Sequence, residues 1–135
     1  MIRAVVVFGV LAACGPDPVR ARVERAGATV VDVEVELATT ADERARGLRG
    51  HAPLGDGEGL VIELPQALEV CIVNDGVDFA IDAVYAGDGG DVVALEPAIA
   101  AGDATARCHD GVARVLEVAA GVASEVAIGD VLVVE

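Results

Sequence analysis

The chain has 135 residues, enough for one domain, and 54% of them are hydrophobic against 24% charged, so it can bury a core and is not disordered as a whole. Acidic residues outnumber basic ones 23 to 9, for a formal charge of -14, and every basic residue is Arg. This excludes a Schiff-base lysine, a phosphate-gripping P-loop lysine and a basic surface for nucleic acid.

Met1 to Ala13 reads as a processing segment. Arg3 precedes an apolar run, Ala4 to Ala13, that is too short to span a bilayer. The run ends in Leu11-Ala12-Ala13-Cys14 and breaks at Gly15-Pro16-Asp17-Pro18, an order that resembles the lipobox of bacterial lipoproteins. The resemblance implies loss of residues 1–13, acylation of Cys14 and a membrane partner reached through lipid, at ~0.8 kcal/mol per buried CH₂. Gly15 and Pro16 do not resemble the acidic second-position signal of inner-membrane retention. The expected location is therefore the cell envelope, anchored at the outer membrane and facing the periplasm.

Residues 14–28 read as the lipidated Cys and a tether, and 29–135 as a single domain. Val30 to Leu37 alternates, with Val31, Val33, Val35 and Leu37 on one side, and predicts a half-buried strand. Thr40-Ala41-Asp42-Glu43 is a capping box opening a short helix that Gly47 and Gly50 close. After a Gly- and Asp-rich loop from His51 to Glu58, Gly59–Leu64 and Glu69–Val73 read as strands separated by Pro65. Asn74-Asp75-Gly76 is a hairpin signal, and Val77–Tyr85 a strand facing its core with Val77, Phe79, Ile81, Ala83 and Tyr85. A second hairpin, Gly87 to Asp91, leads into Val92–Leu95, and residues 97–110 are irregular. A strand at Val112–Val118, a short helix at Ala120–Val126 and a last strand at Val131–Val134 complete the chain. The fold class is α+β: a mostly antiparallel β-sheet with two short helices, its closure into a barrel left open.

The order of these landmarks resembles the domain of unknown function 192 family. Thr40-Ala-Asp-Glu-Arg-Ala-Arg-Gly-Leu-Arg-Gly50 is similar to that family's T-x-x-E-R-A-R-G-L-M-G, and Gly59-Leu-Val-Ile-Glu-Leu-Pro65 to its G-M-L-F-x-F-P strand. Val115-Leu116-Glu117-Val118-Ala119-Ala120-Gly121 resembles V-L-E-V-x-A-G, and Ile128-Gly129-Asp130 the closing G-D strand. The chain departs where the family has Met-Lys-Asn-Thr, carrying Asn74, Asp75, Gly76 and Val77. It also has Ala80, Ile81 and Asp82 where the family has Pro-Leu-Asp, so only Asp82 survives from the family's polar set. The resemblance implies a fold and a neighbourhood, with no established reaction.

Cys71 and Cys108 are an even pair once Cys14 carries lipid, and an oxidising envelope predicts a disulfide between them. Separate buried thiols, or a thiol enzyme using Cys108 and His109, are the alternatives; adjacent residues on an extended chain point oppositely, which argues against that dyad. Asp56 and Glu58, or Asp88 and Asp91, offer oxygens to Ca²⁺ but lack EF-hand spacing, and His51 and His109 have no third zinc ligand in view, so no metal or cofactor is expected. Ser124, the only Ser, has no nucleophile elbow. Arg46 and Arg49 could meet an anion near Asp82 or the hairpin turn, with ion pairs to surplus carboxylates as the plainer reading. The expectation is a lipid-anchored envelope domain, leaning non-enzymatic. It would hold an unknown protein or small-molecule partner around Asn74, Asp75, Asp78 and Asp82 with Arg46 and Arg49.

Overall fold

The fold follows from which strands have a wet face and which do not. In a computed structural model, residues 17–135 are described; the leader, Cys14 and its two following residues lie outside them. Seven strands form the domain: β1 Arg20–Arg25, β2 Ala28–Ala38, β3 Glu58–Ile72, β4 Ile81–Ala86, β5 Val92–Ile99, β6 Arg107–Ala119 and β7 Val131–Val134, with one helix, α1 Ala41–Arg46. The sheet order is β5-β4-β6-β3-β2-β1-β7. All pairs are antiparallel except β2 with β3, which run parallel because residues 39–57, including α1, cross over between them. The sheet is therefore mixed rather than mostly hairpins throughout, and it curls as a half-barrel. At one end its two edges meet, through an isolated bridge between Asp91 and Val131 and the Leu132 N–H donating to Gly90 O at 2.7 Å.

Several local expectations need correction. Part of the tether is strand: Arg20–Arg25 alternates Ala21 and Val23 inward, both fully buried, and pairs with β2 and β7. Pro65 does not end a strand; β3 continues past it, and its ladder to β6 skips from Glu63 to Leu68, which spares the missing N–H. Pro97 likewise lies inside β5, beside a register shift and beside Ala98 at φ 51°. The turn after Asn74 forms, with Val77 N–H donating to Asn74 O, but it joins no hairpin, since β4 pairs with β5 and β6 and not with β3. Ala120–Val126 is a run of turns closed by i to i−3 bonds rather than a second helix.

The central strands are apolar on both faces, and each face carries its own core. One holds Leu60, Ile62, Ile81, Ala83, Tyr85 and Val115, covered by Leu48 and Leu54 from the crossover. The other holds Val23, Val33, Val61, Val84, Leu116 and Val118. Gly59 lets the start of β3 close up against β2 and the end of β6: a Cβ there would lie 2.9 Å from the Glu117 carbonyl oxygen. Among the described residues no helix is long and apolar enough to cross a membrane.

Candidate functional site: an arginine-lined cleft over a buried carboxyl

Helix α1 begins as its sequence dictates. The Thr40 hydroxyl accepts from the Glu43 N–H at 3.1 Å, and the Glu43 carboxylate accepts back from the Thr40 N–H at 3.0 Å. The helix ends at Gly47, whose N–H donates to Glu43 O, and Leu48 drops into the core. This short anchored segment carries Arg44, Arg46 and Arg49 to the rim of a cleft of about 150 Å³. The remaining wall is Ile62, the stretch Cys71 to Asn74, Val77 and Glu117.

The three guanidiniums behave unlike the rest. Arg20, Arg22, Arg25, Arg107 and Arg114 each pair with a carboxylate. Arg44 instead donates to the carbonyls of Thr39 and Glu63, and Arg49 to the Ala45 carbonyl at 2.7 Å. Arg46 is exposed, and no described side chain accepts from it. In a chain with so many spare carboxylates, ion pairs were the plain expectation for Arg46 and Arg49; neither makes one.

Glu117 is the residue that sequence reasoning missed. It lies in β6 opposite Leu60 and Ala83, both on the first core face, and is only 4% exposed. No hydrogen bond reaches its carboxyl, and burial pushes its pKa up to about 7, against a weaker pull from Arg49. The signal was present in the sequence. Val112 to Val118 has no wet face, so a Glu inside that run has nowhere exposed to go.

The predicted residues divide. Asn74 lines the cleft with Arg46 and Arg49, and it is buried, its amide donating to the carbonyls of Phe79 and Ala100 at 3.0 Å each. Asp75 and Asp78 are exposed and outside the cleft lining. Asp82 faces the other way, into the second core face, where it accepts from the backbone N–H groups of Ala98, Gly121 and Ala123 at 2.8 to 3.0 Å. It holds loops and cannot meet Arg46 or Arg49.

Cys71 and Cys108 stand opposite each other in the β3–β6 ladder and are joined as a disulfide. In this state Cys108 has no free thiol to act as a nucleophile. His109 points away from it, with Nε2 2.9 Å from the Glu96 carboxylate and its ring edge-on to Tyr85. Glu96 also accepts from Arg107, which reaches Asp103; that carboxyl is held at about 2, by the Thr105 N–H first and Arg107 second. The carboxylates and His109 are paired within the cluster, and Arg107 Nε is the one buried polar atom there left without a partner.

Residues 21–134 match the model of the domain of unknown function 192 family, described as Uncharacterized ACR. The chain belongs to this family. Two crystal structures share the fold. One, from Sinorhizobium meliloti 1021 and described as a candidate transcription regulator, superposes with a TM-score of 0.81 at 23% identity, covering 86% of this chain and 92% of that one. The other, a protein of unknown function from Novosphingobium aromaticivorans DSM 12444, gives 0.79 at 22% identity, covering 84% and 83%. A search of the curated proteins found no match. The family's helix motif thus supplies Arg44 and Arg46, and its V-L-E-V strand supplies Glu117. Arg49 stands at the position of the family's Met, so this chain adds a third guanidinium to the rim.

Proposed function

We propose that this family member is a lipid-anchored envelope protein whose domain binds a small anionic ligand in the arginine-lined cleft without transforming it. The single observation that carries the binding reading is the set of three Arg side chains without carboxylate partners around one cleft, in a protein of formal charge -14. Guanidiniums left unpaired amid surplus acid favour an anion supplied from outside. The non-catalytic part rests on the lining: its one cysteine is in the disulfide, and neither His51, His109 nor Ser124 borders it. The anchor at Cys14 and the outer-membrane location rest on the lipobox alone.

Two measurements test this reading. Intact mass of the protein purified from membranes of its host is expected to lack Met1 to Ala13, to carry acyl groups and to be two hydrogens short for the disulfide. A full-length, unlipidated mass overturns the anchor. Calorimetric titration of the detergent-solubilised protein with acetate and propionate is expected to show binding that the double variant Arg46→Ala, Arg49→Ala weakens at least tenfold. Absence of binding by either anion, or equal binding by the double variant, overturns the cleft.

A further inference from the structure

Charge in the cleft is separated by depth. Arg46 and Arg49 are exposed at the rim, whereas Glu117 is buried and has no hydrogen-bond partner. A largely buried carboxyl ordinarily has a protein donor; Glu117 has none, and its oxygens face the cleft rather than a sealed interior, since the one fully enclosed unpaired side-chain atom among the described residues is Arg107 Nε. None is supplied here: no ion pair of the described residues includes Glu117, although Arg49 is near enough to attract it. Glu117 instead borders the cleft, so a molecule entering it can provide the missing donor.

We propose that the cleft takes a small dipolar molecule of the amino-acid type, its carboxylate held by Arg46 and Arg49 at the rim and its protonated amine donating to the Glu117 carboxylate beneath. This rests on the anion-binding reading above and adds the second pole. Size agrees: cavities of about 150 Å³ accommodate a molecule as large as benzene, which is six heavy atoms. Alanine has six. Leu48, Ile62, Ile72 and Val77 supply apolar wall to the cleft, against which a short side chain would lie. A simple anion satisfies only the rim and leaves Glu117 as it was.

The groups facing Glu117 are few. Helix α1 and its following turn bring Arg44, Arg46 and Arg49; β3 brings Leu60, β4 brings Ala83 and Tyr85, whose phenol burial keeps protonated, the loop after β3 brings the uncharged Asn74, and His51 stands outside the cleft lining beside Arg46 and Arg49. Between pH 6 and 8 none of those Arg side chains changes charge, so Glu117 is the titrating group of the cleft. Binding of an amine donor needs it ionised, and therefore strengthens as pH rises through about 7. A carboxylate ligand that accepts a hydrogen bond from protonated Glu117 would show the opposite trend.

The test uses the protein as solubilised in detergent from its host's membranes and three probes of similar size: L-alanine, propionate and isopropylamine. At pH 8 alanine is expected to bind at least tenfold more tightly than either single-pole probe, and at least threefold more tightly than at pH 6. Glu117→Gln is expected to remove the preference for alanine while propionate binds no more weakly than to the parent. That variant is expected to melt no lower than the parent at pH 8, so loss of alanine binding cannot be assigned to misfolding. Equal affinity for alanine and propionate, or alanine binding that weakens from pH 6 to 8, overturns the dipolar proposal and leaves the anion site standing. Binding of none of the probes overturns both.

Discussion

Asp82 and Glu117 are buried carboxyls on adjacent strands, 3% and 4% exposed, yet they stand on opposite faces of the sheet and in opposite circumstances. Asp82 accepts three backbone N–H groups, one from the irregular stretch of β5 at Ala98 and two from the turns after β6, so its charge is compensated and both segments are pinned. Glu117 accepts none, and its environment pushes it toward neutrality. Burial alone does not distinguish a structural acid from one available to a ligand; the count of donors does. The difference also explains why the residue retained from the family's polar stretch is not part of the cleft. Asp82 holds Ala98 in its left-handed conformation and fixes the turns after β6, a role in the scaffold rather than at the cleft.

The sharpest way to break this contrast is Asp82→Ala. It leaves three backbone N–H groups without their acceptor, two of them in loops that water can partly reach, and is expected to destabilise the domain by about 4 kcal/mol. A urea midpoint shifted by less than a quarter of that amount would mean the loops do not depend on Asp82. Glu117→Gln is expected to act in the other direction. The folded-state pKa is raised to about 7 from an ordinary 4.5, so the native state holds its proton more tightly than the unfolded chain. Native stability is therefore fully present below about pH 4.5, falls as pH rises, and levels off above about 7, a loss of roughly 3 kcal/mol. Gln removes that loss, so the variant gains stability at pH 8 and none at pH 4. Urea melts at the two pH values check the sign; destabilisation at pH 8 would place an unseen partner on Glu117.

These two acids also mark what the sequence made legible. Alternation in Val31, Val33 and Val35 and the capping box at Thr40 led directly to β2 and α1, because both depend on contacts within a few residues. Strand pairing was less accessible. The parallel β2–β3 contact depends on a crossover folding back, and the continuity of β3 and β5 past Pro65 and Pro97 depends on bulges in partners far along the chain. Asn74 and the Arg side chains were legible as candidates because they are polar and near a turn. Glu117 is harder to single out, because its signal is only the missing wet face of Val112 to Val118, and a lone charged residue within V-L-E-V otherwise reads as a solvated position. Asp82 was placed with the Arg side chains because the Asn74 turn was taken for a hairpin, which would have put them side by side.

Asn74 tests whether a cleft residue can be chiefly structural. It is 1% exposed, and its amide holds the carbonyls of Phe79 and Ala100, tying the loop after β3 to the end of β5. Asn74→Ala is expected to lose about 2 kcal/mol of stability from these two bonds. If the wall it forms also shapes the cleft, propionate affinity falls with it; a stable variant with unchanged affinity would remove Asn74 from both roles.

The smallest effect belongs to Thr40, and it separates the rim from the core beneath. Thr40→Ala removes the side-chain half of the capping box and is expected to lower stability by about 1 kcal/mol. Its consequence for binding should exceed its consequence for folding, because α1 buries none of its own residues and is held by that cap, by Arg44 and by Leu48 just beyond it. A helix of six residues with so little packing frays locally once its first turn loses an acceptor. Arg46 sits in the last turn of that helix, so its guanidinium loses position while Glu117, fixed in the centre of the sheet, does not move. Amide hydrogen exchange should therefore quicken across residues 41–47 and stay unchanged in β6. Uniform exchange across both would mean the rim and the carboxyl form one cooperative unit, and the contrast between a supported acid and an available one would then belong to the whole first core face rather than to Glu117.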